Sequence, residues 1–190
     1  MNKELHKIIN KLVTYDKCKK VVVYTNAKFV PKGENLNCLK NKKVMLDITD
    51  YGKHSWAASE FIEVAKKENI AYTTFKCTTW QDCGRIMPYS NKSEKQLEHL
   101  FNNCCNSDLI SLLHGKLYRC PFAANADSFK GIPSDQRNSI PINSTAEEIQ
   151  RYTRELEFIP ACNFCKGRSF DAKEIVPAIQ VKKPLEYKKY

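Results

Sequence analysis

The chain has 190 residues, enough for one domain of ordinary size or two small ones. Hydrophobic residues make up 42% of it, so the chain can bury a core and a disordered protein is excluded. The formal net charge of +10 comes from lysines that are dispersed along the sequence, apart from the lysine-rich tail at 182–189. A dispersed charge favours a solvated basic surface and argues against a nucleic-acid-binding protein.

The sequence also bears on the cellular compartment. Residues 1–6 lack the apolar run and cleavage site of a signal peptide. No stretch approaches the roughly 18 apolar residues that a membrane span needs. We therefore expect a cytoplasmic protein that does not contact a membrane. There, nine cysteines are expected to bind metal or to do redox chemistry rather than to form disulfides.

In the first half of the chain, hydrophobic periodicity predicts helices that alternate with strands. The helices are expected at residues 5–13, 33–40 and 59–68, and the strands at 21–24, 44–49 and 70–76. The strand at 21–24 is a continuous apolar run, which is typical of a strand buried on both faces. The alternation predicts an α/β fold with a parallel sheet, in which ligands bind at the carboxyl ends of the strands.

Polar residues stand where these strands end. Asn26 follows the first strand, Thr49 and Asp50 end the second, and Arg85 lies on the loop after the third. Because the carboxyl ends of parallel strands meet at one edge of the sheet, these four residues are candidates for contact with a substrate. The fork of Arg85 suits a carboxylate or phosphate group. The alternative is that strand ends are polar only because they leave the core.

The pattern changes after the third strand. Residues 77–91 are predicted to form a loop, and a helix follows at 92–103 with Ser93 as its N-cap. Residues 109–121 are predicted to form a β-hairpin that turns at its His-Gly pair, followed by a loop to about residue 144. Thr145 then opens a helix through Leu156, with Glu148 completing a capping box.

A four-cysteine pattern in the last third of the chain is the most informative feature of the sequence. Cys105 and Cys120 flank the predicted hairpin, and 41 residues separate Cys120 from the pair Cys162 and Cys165. Cys104 competes with Cys105 for the first position, and only one is expected to bind because adjacent side chains diverge. Four thiolates from separated segments can hold an iron–sulfur cluster or a zinc ion.

The hairpin and the cysteine pair resemble the auxiliary-cluster domain of radical S-adenosylmethionine proteins, in the shortened SPASM form called twitch. That domain has a cysteine, a glycine, a second cysteine after four more residues, and a later C-x-x-C, as Gly115 and its flanking cysteines do here. Residues 115–121 and 161–167 are typical of the family. Thr25–Asn26 and residues 48–52 look like its strand ends, so the resemblance covers nearly the whole chain.

The resemblance implies a domain organisation and a cofactor. Residues 1–87 would form about the second half of a (βα) radical-SAM barrel, residues 88–103 a connecting helix, and residues 104–190 a small iron–sulfur domain. It favours Cys104 as the first ligand of an auxiliary [4Fe-4S] cluster. S-adenosyl-L-methionine would bind only in a full-length enzyme, with an electron donor such as a flavodoxin or ferredoxin and a small-molecule or peptide substrate that the sequence does not identify.

Two motifs of that family are missing from the sequence. The chain contains neither the C-x-x-x-C-x-x-C that holds the catalytic cluster nor the Gly-Gly-Glu that receives the methionine amino group. We therefore expect the C-terminal portion of a radical SAM enzyme that does not cleave S-adenosylmethionine alone, and no catalytic residue is assigned. Two alternatives stay open: a basic zinc-binding module of a cytoplasmic protein that contacts nucleic acid, and a degenerate remnant without metal.

Overall fold

The computed structural model describes residues 2–83, 85–168 and 171–179, so the lysine-rich tail lies outside the described residues. Contacts divide the described chain into two compact units. The first holds residues 2–80 and 176–179, and the second holds the described residues between 81 and 175. Within the described ranges, no helix has the length and apolar character needed to cross a membrane.

The first unit contains a three-stranded parallel sheet and the helices that connect its strands. The strands follow one another across the sheet, with Thr25 opposite Ile48 and Thr49 opposite Phe75. The prediction of alternating helices and parallel strands is confirmed. The elements are α1 (Leu5–Val13), β1 (Val21–Thr25), α2 (Glu34–Asn37), β2 (Val44–Asp50), α3 (Ala58–Lys67) and β3 (Tyr72–Lys76).

The core of this unit lies on one face of the sheet. Alternate residues of β2 are buried there together with side chains of α1 and α3: Ile9, Val44, Leu46, Ile48 and Phe61. The opposite face carries Tyr24, which is 74% exposed, and Phe75, which is 62% exposed. The prediction that the apolar run of β1 is buried on both faces is therefore wrong, because the helices of this unit pack against one face only.

The second unit is built from short elements. Three of its strands form an antiparallel sheet in chain order, with Ser111 opposite Tyr118 and Tyr118 opposite Ser139. A 3₁₀ helix covers Pro160–Phe164. After β4 (Trp80–Gln81), whose first residue belongs to the first unit, the elements are α4 (Glu94–Asn102), β5 (Ser111–Leu113), β6 (Lys116–Tyr118), α5 (Pro121–Ser128), β7 (Ser139–Pro141), α6 (Ala146–Arg154) and β8 (Glu174–Ile175).

Local sequence signals set the ends of several of these elements. Ser93 and Gln96 exchange hydrogen bonds at the start of α4, and Thr145 and Glu148 do so at the start of α6. Both capping boxes satisfy backbone N–H groups that the first helical turn leaves free. The hairpin turns at residues 114–115 with φ values of +49° and +73°, as a two-residue turn between strands requires. The predicted helix starts and the predicted hairpin are confirmed.

The loop predicted between the hairpin and residue 144 is wrong, because it contains α5 and β7. Pro121 occupies the first position of α5, where the missing N–H costs nothing and the fixed φ suits a helix. The helix buries Ala123, Ala124 and Ala126. Three small residues give a weak hydrophobic pattern, so the proline was the signal that could have identified this helix.

The division of the chain lies at residues 80–81, ahead of the boundary expected at 87–88. Hydrogen bonds explain why the intervening residues belong to the second unit. Met87 N–H donates to the Phe164 carbonyl at 2.8 Å, and Ser90 N–H donates to the Asn163 carbonyl at 3.1 Å. The helix expected as a connector is α4 of the second unit. The fold is mixed α/β, and the described residues contain three parallel strands rather than a closed barrel.

Candidate metal centre

Four of the five candidate metal ligands line one pocket of the second unit. The four cysteines come from three separate segments of the chain: Cys104, Cys120, Cys162 and Cys165. The rest of the lining is mostly apolar and contains no carboxylate: Leu100, Phe101, Asn106, Phe122, Ile159, Ala161, Gly167 and Arg168. The fold thus brings together the thiols that the sequence spacing predicted as a set.

The structure separates Cys104 from its neighbour Cys105. Cys104 follows the end of α4, where its N–H donates to the Phe101 carbonyl at 3.1 Å, and it lines the pocket. Cys105 is not among the lining residues, and its Sγ lies 3.9 Å from Asn106 Oδ1. Only one of these two adjacent cysteines thus lines the pocket. The pocket therefore favours Cys104 as the first member of the set.

Cys120 occupies the N-cap position of α5. Its Sγ accepts a hydrogen bond from Ala123 N–H at 3.3 Å, in the place where serine or aspartate usually caps a helix. A helix N-terminus and a backbone donor both favour a thiolate. This cysteine is therefore held by a donor that would also stabilise it as an anionic ligand.

The C-x-x-C segment, residues 162–165, is held by a glycine that follows it. Gly167 N–H donates to Cys165 Sγ at 3.3 Å. Gly167 has a φ of +78°, and a Cβ at this position would lie 3.0 Å from Leu100 Cδ1. The positive φ favours glycine here, and a side chain at this position would also crowd Leu100 on α4. The glycine thus places a backbone donor against one of the pocket's sulfur atoms.

Burial favours the neutral thiol at three of the four cysteines, Cys120, Cys162 and Cys165. Burial raises the pKa of Cys120 to about 11 and that of Cys162 to about 12, and it raises the pKa of Cys165 as well. The neighbouring cysteines of the set raise each of these pKa values further, and the Lys92 ammonium acts against the rise at Cys165. The four side chains are therefore close enough to influence one another electrostatically.

These pKa shifts predict that the metal-free protein loses stability as the pH rises from about 9 to about 11. Below that window the thiols are neutral in both the folded and the unfolded chain. Within it the unfolded chain releases protons that the folded chain keeps, so the free energy of unfolding falls. Thermal unfolding with chelator and reductant present, at about pH 8 and about pH 11, measures the loss.

A Cys162→Ala protein isolates the thiol contribution to this pH dependence, since other groups also titrate in the alkaline range. The variant should lose less stability over the same interval than the wild-type protein, because it has one fewer buried thiol. If the free energy of unfolding depended on pH identically in the two proteins, the buried Cys162 thiol would not be a cause of the stability loss.

Arg119 is a buried cation beside Cys120, and only 7% of it is exposed. Its guanidinium donates to the carbonyls of Tyr152, Leu156 and Ser107, each at 3.2 Å. The group lies 4.9 Å from the ring centre of Phe101, which lines the pocket on its other side. Its Nε has no hydrogen-bond partner among the described residues. Arg119 thus connects the end of α6 to the segment that carries Cys120.

The candidate substrate residues are divided between the two units. In the first unit, Asn26 follows β1 and is exposed, while Thr49 and Asp50 end β2 and are half-buried. The strand register puts these three at the carboxyl edge of the parallel sheet, as predicted. Asp50 Oδ1 accepts a hydrogen bond from Gly52 N–H at 2.8 Å, which shapes the turn after β2.

Arg85 belongs to the second unit rather than to the parallel sheet. Its Nε donates to Asp82 Oδ1, and both residues lie at the start of the second unit. Because the Arg85 side chain is exposed, this ion pair contributes little to stability. The predicted role of Arg85 in holding an anionic group stays a prediction.

The four thiols that line the pocket are chemically suited to ligate an iron–sulfur cluster. All nine cysteines are free thiols, and those outside the set, apart from Cys105, are Cys18, Cys38, Cys77 and Cys83. Among the described residues, no three His, Cys, Asp or Glu side chains lie close enough together to hold a single metal ion. A four-iron cluster needs its thiols spread more widely than one ion does, because each thiolate binds a different iron atom.

Sequence reasoning missed three residues that shape this centre. Arg119 and Gly167 lie within segments 115–121 and 161–167, on which the sequence resemblance rests, but the sequence assigned no role to either residue. Lys92 is 70 residues from Cys162 along the chain, so no local pattern identifies it.

Comparison with known proteins returned no match, whether to a family model, a curated protein or a solved structure.

Proposed function

We propose that the second unit binds a [4Fe-4S] cluster through Cys104, Cys120, Cys162 and Cys165. The observation that carries this proposal is the convergence of four thiols from three segments on one mostly apolar pocket. Thiolates are the usual ligands of iron–sulfur clusters. The cluster would supply one-electron transfer at this site.

The surroundings of the thiols support this assignment. Two backbone N–H groups, of Ala123 and Gly167, donate to sulfur atoms of the set. Hydrogen bonds to ligand sulfurs and exclusion of solvent both tune such centres. The rings of Phe101 and Phe122 line the pocket and would keep water from the ligands.

The wider proposal follows the sequence resemblance to radical S-adenosylmethionine proteins. It is supported by the parallel sheet of the first unit and by the polar residues Asn26, Thr49 and Asp50 at its carboxyl edge. In this proposal the cluster of the second unit is auxiliary, and S-adenosyl-L-methionine binds only in a full-length enzyme. A cytoplasmic location, a flavodoxin or ferredoxin as electron donor, and a small-molecule or peptide substrate belong to the same proposal.

Anaerobic reconstitution with iron and sulfide tests the cluster assignment. The protein is expected to turn brown, with broad visible absorbance that bleaches on reduction, because thiolate-to-iron charge transfer absorbs strongly. Zinc is colourless, so a colourless protein with one zinc per chain would favour a zinc module instead. A colourless protein that retains no metal would favour a degenerate remnant.

The reconstituted chain is expected to produce no 5′-deoxyadenosine from S-adenosylmethionine, even after reduction. The reason is the missing C-x-x-x-C-x-x-C, without which no open iron is available to the methionine. Chromatography of the reaction mixture, against a sample without protein, measures the product. Formation of 5′-deoxyadenosine above that background would contradict the assignment of the cluster as auxiliary.

A further inference from the structure

Residues 87–92 bind every peptide carbonyl of the C-x-x-C segment. Met87 N–H donates to Phe164 O at 2.8 Å, and Ser90 Oγ donates to Asn163 O at 2.6 Å. The remaining two carbonyls, of Cys162 and Cys165, accept from the side chain of Lys92. The C-x-x-C segment is thus held in place along its whole length by one short segment of the chain.

The Lys92 ammonium bonds to the backbone of both Cys162 and Cys165. Its Nζ lies 3.3 Å from Cys162 O and 3.1 Å from Cys165 O, and it also bonds to Ser90 Oγ. Its backbone N–H donates to Asn163 Oδ1 at 2.9 Å, which fixes the lysine against the segment. None of the ion pairs found among the described residues involves Lys92.

A lysine ammonium normally prefers water or a carboxylate, because it is strongly hydrated. Here it is half-buried and directed at the carbonyls of two predicted ligands. Arg168 lines the pocket, Arg119 packs on the lining residue Phe101, and no carboxylate is among the lining residues. Lys92 does not line the pocket itself, but its ammonium is hydrogen-bonded to the backbone of the segment that carries two of the pocket's thiols.

We propose that Lys92 is a positioning residue for the C-x-x-C ligands and that its charge favours the reduced state of the metal group they hold. This inference rests on the proposed function. A cluster with four thiolate ligands gains negative charge on reduction, so a nearby ammonium stabilises the reduced form and raises the reduction potential. The two hydrogen bonds would at the same time keep both cysteines oriented towards the metal.

Three variants test this inference: Lys92→Met, Lys92→Arg and the matched control Lys95→Met. Lys95 is exposed on α4, three residues beyond Lys92. The measurements are iron retention against a chelator and the midpoint potential, followed by electron paramagnetic resonance of the reconstituted proteins. Circular dichroism of the metal-free proteins checks that each variant is folded.

Lys92→Met is expected to bind iron about 10-fold more weakly, as loss of a residue that orients metal ligands usually does. It should also show a more negative midpoint potential than the wild-type protein. Lys92→Arg keeps the charge, so its potential should stay close to the wild-type value even if its iron retention falls. Lys95→Met should match the wild-type protein in both measurements.

The outcomes distinguish this inference from the proposed function. If the wild-type protein itself takes up no cluster, the proposed function fails and this inference fails with it. A wild-type protein that holds a cluster with the same retention and potential as Lys92→Met would overturn the role of Lys92 alone. A potential of Lys92→Arg that equals that of Lys92→Met would overturn the part assigned to the charge.

Discussion

Replacing any one of Cys104, Cys120, Cys162 or Cys165 with alanine is expected to remove most of the iron from the reconstituted protein. Each of the four lines the same pocket, so each loss leaves one iron atom without its protein ligand and opens the pocket to solvent. Iron and sulfide assays on the purified, reconstituted variants measure the effect. This is the largest change that we expect from a single substitution.

Cys105→Ala is the sharpest control for this series, because Cys105 adjoins a proposed ligand and does not line the pocket. It should retain iron at the wild-type level, as should Cys18→Ala and Cys38→Ala. Iron loss in Cys105→Ala with full retention in Cys104→Ala would reverse the assignment of the first ligand. If all the variants retained the same amount of iron, the proposal that these cysteines bind a cluster would be contradicted.

Arg119→Met is expected to destabilise the second unit by roughly 1–3 kcal/mol, the cost of leaving a buried carbonyl without its donor. The substitution leaves three carbonyls without their donor: those of Ser107, Tyr152 and Leu156. It also removes the cation that packs on Phe101, one wall of the pocket. The effect should appear in the metal-free protein, because it does not depend on the cluster.

Hydrogen exchange read by mass spectrometry measures this destabilisation within the unit that contains Arg119. Peptides from residues 111–160 should exchange faster in Arg119→Met than in the wild-type protein, while peptides from the first unit should not change. Arg151→Met is the matched control, because Arg151 is exposed on α6 and should change stability by no more than about 0.5 kcal/mol. Equal protection in Arg119→Met and Arg151→Met would contradict the structural role of the buried guanidinium.

The sequence predicted those parts of the fold whose signals are local. The periodicity of α1 and the apolar runs of β1 and β2 identify these elements, because the residues that define them are close neighbours along the chain. The capping boxes at Ser93 and Thr145 likewise depend on residues only three positions apart. The side of β1 that is exposed could not be predicted, since burial depends on where distant helices pack.

In the candidate site, too, the sequence predicted what depends on local spacing and could not predict what depends on distant parts of the chain. Spacing identified the cysteine set, but it could not choose between Cys104 and Cys105, because a shift of one residue fits the pattern equally well. That choice depends on the direction of each side chain after α4, which only the fold determines. Lys92 bonds to Cys162 at a separation of 70 residues and Arg119 to Tyr152 at a separation of 33, so these contacts leave no periodic trace in the sequence.

Native mass spectrometry of the anaerobically reconstituted chain tests the cluster assignment most directly, because it counts the atoms bound to each protein molecule. We predict a mass increase that corresponds to four iron and four sulfide per chain, lost together in the Cys162→Ala protein. A single bound zinc, or no added mass in the wild-type chain, would contradict the proposal that these four thiols hold a [4Fe-4S] cluster.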